Sequence, residues 1–122
     1  MSAVPQRSPI TTHVLDVSLG RPASGVSLSL ARATSGAQPP TFVELAQGTT
    51  DADGRATQLL AQGSLEAGTY RIRFEVLPYF ARDGRASFYP HVDIVFVVAA
   101  LDEHYHVPLL LSPFGYSTYR GS

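Results

Sequence analysis

Two histidines near the carboxyl end, His104 and His106, have the spacing that points most directly to chemistry. They lie in a stretch with the alternation of a β-strand, where residues i and i+2 face the same side, so both imidazoles are expected on one face. Imidazole exchanges a proton near pH 6.5 and can therefore act as a general acid or base. The same spacing also occurs in exposed or hydrogen-bonded surface pairs, so it does not decide the matter alone.

A metal site is the second interpretation of this histidine pair. Two imidazoles on one strand face can bind a single ion, and His13 or His91 would then supply a third ligand. The chain has no cysteine, which excludes disulfides and thiolate ligands and fits a reducing compartment. A His-x-His spacing without further ligands at fixed positions has little specificity for metal.

Arg55 is the candidate for stabilising charge on a reacting oxygen, because it directly follows an Asp-Gly turn and its guanidinium presents planar donors. Hydrolysis of a cyclic amide needs an activated water together with such a group. The alternative is a solvated surface arginine, the commonest situation for this residue type. The sequence contains no phosphate-binding glycine loop, nucleophile elbow or paired-carboxylate motif, so serine-based nucleophilic catalysis has little support.

The elements that must position these residues are predicted to be strands, because hydrophobicity alternates with a period of two along most of the chain. The clearest strand runs from Tyr70 to Val76. Pro78–Gly84 has proline near its start and glycine near its end, which fits one or two helical turns. Seven or eight short strands predict an all-β antiparallel sandwich. The other strands are expected over residues 12–18, 26–30, 41–46, 55–60, 90–99, 104–112 and 116–120.

Length and composition are consistent with one domain, since 122 residues with 44% hydrophobic content can bury a core. Residues 1–10 are expected to be a disordered or extended segment before a single domain over residues 11–122, and Thr34–Pro40 is a polar loop. The net charge of -1 gives no electrostatic reason for binding nucleic acid or an anionic membrane. No apolar run reaches the roughly 20 residues needed to span a membrane, and the amino terminus lacks a secretory-signal profile, so the cytoplasm is the expected location.

The last four residues, Tyr119 to Ser122, end a segment that stays apolar and aromatic almost to its final residue. Chain ends are normally polar and frayed. An end of this composition is therefore expected to be held against the fold, either as a last core strand or as the wall of a site or interface.

Five stretches of the sequence resemble the transthyretin-like 5-hydroxyisourate hydrolases, and together they run from near residue 10 to the end. The closing Tyr-Arg-Gly-Ser is the mark that separates these hydrolases from transthyretin, the hormone carrier with the same fold. The matching stretches are Thr12–Asp16 with Gly20–Ala23, then Asp53–Arg55, then Phe88–Pro90, and finally His104–Ser122.

The resemblance implies a transthyretin-like sandwich of two four-stranded sheets with one short helix, placed near Pro78–Gly84. It implies a homotetramer, a dimer of dimers, with active sites where the dimers meet. It also implies hydrolysis of 5-hydroxyisourate to 2-oxo-4-hydroxy-4-carboxy-5-ureidoimidazoline in urate degradation, with no cofactor or metal.

Residue by residue, the resemblance implies that His13, Arg55 and His106 are catalytic. The two histidines would handle the water and its protons, and Arg55 would hold the substrate and stabilise oxygen charge; which histidine is the base stays open. Substrate contacts are implied for His13, Arg55, His104, Tyr119 and Ser122.

Two other functions are compatible with these residues. A carrier of small aromatic ligands would use the same fold without catalysis, because a fold does not fix a function. Such a carrier should line its pocket mainly with apolar groups, which the expected cluster of histidines and arginine opposes. A metal-binding protein would use His104, His106 and His13, but the terminal Tyr-Arg-Gly-Ser has no role in a metal site.

Overall fold

Nine strands and one short helix make up most of the computed structural model, which describes residues 8–35 and 39–122. The helix α1 spans Val76–Ala81 and lies between the sixth and seventh strands. The strands are β1 (Ile10–Asp16), β2 (Arg21–Pro22), β3 (Ser27–Ala33), β4 (Phe42–Thr49), β5 (Arg55–Ala56), β6 (Gly68–Phe74), β7 (Val92–Val98), β8 (Tyr105–Ser112) and β9 (Gly115–Thr118).

The strands form two sheets, which confirms the predicted sandwich. One sheet has the order β4-β3-β6-β7 and is antiparallel throughout. The other has the order β2-β1-β8-β9, with β5 as a fifth strand paired to β1, whereas four strands were predicted. The extra strand arises because β2 and β5 have only two residues each and pair with different parts of β1.

One strand pair departs from the predicted antiparallel arrangement. Strands β1 and β8 run parallel, with Ile10 opposite Tyr105 and Asp16 opposite Leu111. A parallel pair cannot be joined by a tight hairpin, and here the two strands come from opposite ends of the chain. The residues near both chain ends therefore lie side by side in the centre of one sheet.

The helix begins two residues before Pro78, the predicted start, and ends at Ala81. Pro78 falls in its first turn, where a backbone N–H would have no helical partner and its loss costs little. Val76, Tyr79 and Phe80 are buried. The predicted terminating glycine, Gly84, has a φ of 75°, which favours glycine over residues with a β-carbon.

The core lies between the two sheets and is built from the inward-facing residues of the alternating strands. In β6, the residues Tyr70, Ile72 and Phe74 are buried while the intervening residues are partly exposed. The largest fully buried side chains of the described residues are Tyr70, Phe74, Phe80, Ile10, Leu30, Ile72, Leu109 and Leu111, followed by four valines. Each such side chain contributes about 1.5–3 kcal/mol through burial.

A buried carboxylate, Asp16, fixes the end of β1. Its oxygens accept hydrogen bonds from Ser18 at 2.6 Å, from Tyr79 at 2.7 Å and from Arg85 at 2.8 Å. Burial by itself raises the pKa of Asp16, but the hydrogen bonds from Arg85, Ser18 and Tyr79 and the charge of Arg85 outweigh it and lower the pKa to about 2. Asp16 is thus charged in the folded protein and ties β1 to α1 and to the segment after it.

Residues 1–7 and 36–38 lie outside the described part, and with them most of the predicted segment 1–10 and the middle of the Thr34–Pro40 loop. Within the described part, Ser8 is buried and Ile10 already belongs to β1. The described residues include no helix long and apolar enough to cross a membrane.

Candidate active site

The outward-facing residues of β1 and β8 form the centre of the candidate site. The parallel register places Thr11 opposite His106 and His13 opposite Pro108. Their neighbours along each strand point inward, where Val14 and Leu109 are fully buried. Alternation therefore puts His13 and His106 on the same outer face of the five-stranded sheet.

Arg55 joins this face from the other edge of β1. It stands directly opposite His13 in the antiparallel pair of β1 with β5, and side chains opposite each other in such a pair lie on one face. The Asp51 carboxylate accepts the backbone N–H groups of Asp53 at 2.9 Å and Arg55 at 3.0 Å. The Arg55 side chain is exposed, so its guanidinium is accessible to a ligand on this face.

The turn before Arg55 is held against β1 by Gly54. Its carbonyl oxygen accepts the N–H of Val14 at 2.7 Å. Gly54 has a φ of 77°, and a β-carbon there would overlap the Val14 carbonyl oxygen. The Asp-Gly-Arg sequence thus needs its glycine both for the left-handed backbone and for the close approach to β1.

His104 and His106 meet at a single hydroxyl group. The Oγ1 atom of Thr11 lies 2.8 Å from His104 Nε2 and 2.8 Å from His106 Nδ1. The imidazole rings are nearly parallel, with 17° between their planes and 6.4 Å between their centroids. The two histidines share one face, as their spacing predicts, and Thr11 is buried beneath them with 2% of its surface exposed.

The carboxyl-terminal segment is held against this cluster. The N–H of Gly121 donates to the carbonyl oxygen of His106 at 2.8 Å, and the two residues form an antiparallel bridge. Arg120 donates to the Glu103 carboxylate at 2.8 Å and to the carbonyl oxygen of His104 at 3.3 Å. The ordered chain end expected from its composition is therefore present.

Tyr119 and His106 border a cleft between the terminal segment and the edge of β7. The cleft has a volume of about 270 Å³, and its other walls include Phe96, Val97 and Tyr105. Tyr119 is 59% exposed, so its ring is available to a ligand rather than used in the core. Ser122 is also exposed and directly follows Gly121.

His91 lies elsewhere. Its Nε2 atom is 3.9 Å from the Asp93 carboxylate at the start of β7, and Asp93 is held by two hydrogen bonds from Arg73. In the part of the chain that the structure describes, no group of three or more His, Asp or Glu side chains could hold a metal ion. The two metal-site combinations that the sequence leaves open as alternatives, with His13 or His91 as third ligand, are thus not assembled among these residues.

A larger cavity than the cleft beside His106, of about 590 Å³, lies on the four-stranded sheet and contains none of the histidines. Charged residues of both signs line it, among them Glu44, Arg71, Arg73 and Glu75. Part of its charge is already engaged, because Arg73 binds Asp93. Volume alone therefore does not identify the site.

Thr11 is the residue of this site that sequence reasoning missed. It lies two positions before His13, so strand alternation would have placed it on the same face. Its position between two histidines depends on the pairing of β1 with β8, which no local pattern contains.

The model of the HIUase/Transthyretin family matches residues 10–121. The chain belongs to this family. Among its relatives is the 5-hydroxyisourate hydrolase of Mus musculus, 44% identical over 117 residues that cover 96% of this chain and 98% of the relative. Among solved structures, 5-hydroxyisourate hydrolase of Klebsiella pneumoniae is 41% identical, covers 93% of this chain and 97% of its own, and superposes with a TM-score of 0.78.

Similarity of fold alone does not distinguish the hydrolases of this family from its transthyretins. Transthyretin from Sparus aurata superposes with a TM-score of 0.85, although it is only 32% identical over 93% of this chain and 96% of its own. The backbone is therefore as close to a transthyretin as to a hydrolase. Sequence identity to the hydrolases is nevertheless higher. The side chains of the candidate site, and not the backbone, are therefore what distinguishes a hydrolase from a transthyretin.

Proposed function

We propose that this protein is a 5-hydroxyisourate hydrolase, which converts 5-hydroxyisourate to 2-oxo-4-hydroxy-4-carboxy-5-ureidoimidazoline in urate degradation. The observation that carries the proposal is the placement of His13, Arg55 and His106 on one open sheet face. Two groups that exchange protons can activate the water and protonate the leaving nitrogen of a cyclic amide, and one permanent cation can stabilise the charge on its oxygen.

The chemistry follows from the roles of these three groups. Water adds to the carbonyl carbon of the ring, the ring C–N bond breaks, and the released nitrogen takes up a proton. One of His13 and His106 removes the proton from the attacking water, and a histidine of this face returns a proton to the nitrogen. Arg55, which is exposed opposite His13, stabilises the negative charge that develops on the carbonyl oxygen.

Three further residues are proposed to contact the substrate. Tyr119 borders the same cleft as His106 and presents an exposed aromatic ring to a planar heterocycle. His104 shares the Thr11 hydroxyl with His106, and Ser122 follows the glycine that packs on His106. These positions support contacts of His104 and Ser122 with polar substituents around the substrate ring.

We further propose that the protein assembles as a homotetramer, a dimer of dimers, in the cytoplasm. The site lies on the outer face of a sheet, and a small-molecule site normally buries about 70–90% of its ligand. A second subunit packed on this face would complete the enclosure. Analytical ultracentrifugation should give four times the 13.1 kDa chain mass, and a fully active monomer would contradict the proposal.

A small-ligand carrier remains the second candidate, favoured by the TM-score of 0.85 with a transthyretin. Calorimetric titration with apolar aromatic ligands tests it. Tight binding by a protein that leaves the decay of 5-hydroxyisourate unchanged would favour carriage over hydrolysis.

The decisive experiment measures the loss of freshly prepared 5-hydroxyisourate by ultraviolet absorbance. Wild type should accelerate it, and His106→Ala should lower kcat by about 10²–10⁴-fold, the usual loss for a positioned acid or base. The matched control is His91→Ala, because that histidine contacts Asp93 instead of the site. Equal losses from both variants, or a wild type no faster than buffer, would refute the proposal.

Arg55 is tested in the same assay. Arg55→Gln removes the charge on the site face, while Arg21→Gln removes an exposed charge from β2, which pairs with the same strand β1. Only the Arg55 variant should lose activity, by about 10²–10³-fold. Activity that survives Arg55→Gln would remove this residue from the mechanism.

A further inference from the structure

The Thr11 hydroxyl lies between two imidazole nitrogens at 2.8 Å each, in a buried position on the face of the proposed active site. Building on the proposed hydrolase function, we propose that Thr11 is a positioning residue that couples the protonation of His104 to that of His106. Through it, a proton taken up by His106 is passed on to His104.

The coupling follows from counting protons. A threonine hydroxyl has one hydrogen to donate and lone pairs to accept with. It can therefore donate to only one of the two nitrogens that face it, and the other contact needs an imidazole N–H as donor. A state in which His104 Nε2 and His106 Nδ1 both lack hydrogen would lose one of these partly buried hydrogen bonds, at a cost that disfavours it.

Two neutral arrangements satisfy both contacts with the hydroxyl as donor. In the first, Thr11 donates to His104 Nε2 and His106 Nδ1–H donates to Thr11, which leaves His106 Nε2 without hydrogen, as a base. In the second, Thr11 donates to His106 Nδ1 and His104 Nε2–H donates to Thr11, which leaves the hydrogen of His106 on Nε2, as an acid. As long as the hydroxyl donates to one of these nitrogens, the tautomer of one histidine therefore sets that of the other.

The same contacts give a balanced transfer. When His106 Nε2 takes a proton from water, its Nδ1 proton passes to Thr11 Oγ1 while the hydroxyl proton passes to His104 Nε2. His106 ends neutral with its hydrogen on Nε2, ready to donate, and His104 holds the positive charge. As His106 Nε2 protonates the released nitrogen, the two transfers reverse and return the proton of His104 through Thr11 to His106 Nδ1, which restores the starting state with no proton gained or lost.

The surroundings hold the three groups in this arrangement. Thr11 is β-branched, which restricts its side-chain rotamers, and the β1–β8 register sets it opposite His106. Gly121 packs against the ring of His106. Arg120 donates to the carbonyl oxygen of His104 and to the Glu103 carboxylate, so this ion pair borders the cluster.

Three variants test the proposal by kinetics. Thr11→Val keeps the shape and removes the hydroxyl, and should lower kcat about 10–100-fold with little change in KM, the scale of a misaligned catalytic group. Thr11→Ser restores a hydroxyl and should recover most of the activity. The matched control is Thr12→Val, since the Thr12 hydroxyl bonds the Val107 carbonyl oxygen in the core and should affect stability alone.

Nuclear magnetic resonance of the ¹⁵N-histidine-labelled protein tests the coupling without any substrate. In wild type, at least one of His104 Nε2 and His106 Nδ1 should carry hydrogen, and Thr11→Val should shift the tautomer populations of both rings. Unchanged imidazole spectra in Thr11→Val, or wild-type kcat in that variant, would overturn the proposal. If wild type proved inactive on 5-hydroxyisourate, the hydrolase assignment would fail, and the spectra would still decide the coupling.

Discussion

The main chain of Gly121 lies directly against the imidazole of His106. A β-carbon at position 121 would come within 2.6 Å of His106 Cδ2 and 3.1 Å of Pro108 Cγ. Gly121 is not among the glycines with positive φ, so space and not backbone conformation requires glycine here. The glycine of the terminal Tyr-Arg-Gly-Ser therefore sets the position of a proposed catalytic histidine.

Gly121→Ala should consequently lower activity while the fold is retained. The added methyl group must displace either the His106 ring or the terminal segment, and misplacement by about 1 Å can cost about 10²-fold in kcat. Gly115→Ala is the matched control, since a β-carbon there meets only Ser112 Oγ at 3.7 Å. Steady-state kinetics on both variants checks this, and equal activities would contradict it.

A second prediction concerns the turn that carries Arg55. Gly54→Ala combines a strained positive φ with overlap on the Val14 carbonyl oxygen, whereas Gly63→Ala has a similar φ of 82° and open space around it. Both should lose the roughly 1–2 kcal/mol cost of a left-handed residue. Only Gly54→Ala should lose more stability than that and also lose activity, as Arg55 moves. Urea unfolding and kinetics together test this; indistinguishable variants would refute it.

A third prediction concerns the buried carboxylate at the end of β1. Asp16→Asn should destabilise the protein by about 2–3 kcal/mol, because it weakens hydrogen bonds to a charged group. Asp83→Asn removes the second carboxylate bound to Arg85, but Asp83 is half exposed, so this substitution should cost much less stability than Asp16→Asn. Urea unfolding at neutral pH measures both, and an equal loss in the two variants would contradict the role of burial.

The same carboxylate gives the protein an acid-sensitive contribution to stability. The pKa of Asp16 is lowered from 3.8 to about 2 in the folded state, so the unfolded state binds a proton more readily. The contribution is present above pH 3.8 and is lost as the pH falls toward 2. In wild type, the free energy of unfolding should decrease over this range more steeply than in Asp16→Asn. Parallel pH profiles for the two proteins would exclude the effect.

A further prediction is that exhaustive chelation leaves the activity unchanged. The described residues offer no cluster of three metal-ligating side chains, and both His104 and His106 direct a ring nitrogen at Thr11. Dialysis against a chelator, with elemental analysis of the product, checks this. Activity that is lost and then restored by adding a metal ion would overturn it.

Much of the fold follows from local patterns. Strands β6 and β7 were predicted closely because each alternates between one buried and one exposed face along its length. The prediction was wrong at the end of β6, where Val76 continues the alternation but begins α1 instead. The strand predicted over residues 55–60 is shorter, because its later residues bond to Ser8 and not to a neighbouring strand. The N–H of Leu60 donates to the Ser8 hydroxyl, and the carbonyl oxygen of Thr57 accepts the N–H of Ser8. Such contacts depend on the position of a distant segment.

The site itself was only partly predictable. Alternation places His104 and His106 on one face, but Thr11 lies 93 and 95 positions from them in the sequence. The pairing of Asp16 with Arg85 spans 69 positions. Neither relationship leaves a periodic signal, because each depends on how the strands are ordered in the sheet and not on the repeat within any one of them.

The parallel pairing of β1 with β8 has a consequence for how the protein acquires its activity. Strand β1 is made early in synthesis and β8 late, and closing so long a loop is entropically slow. The histidines of the two strands can meet only after that closure, so a nascent or partly folded chain lacks the assembled centre. Recovery of enzymatic turnover during refolding should therefore lag behind the formation of the β4–β3–β6–β7 sheet, whose strands are closer neighbours in the chain.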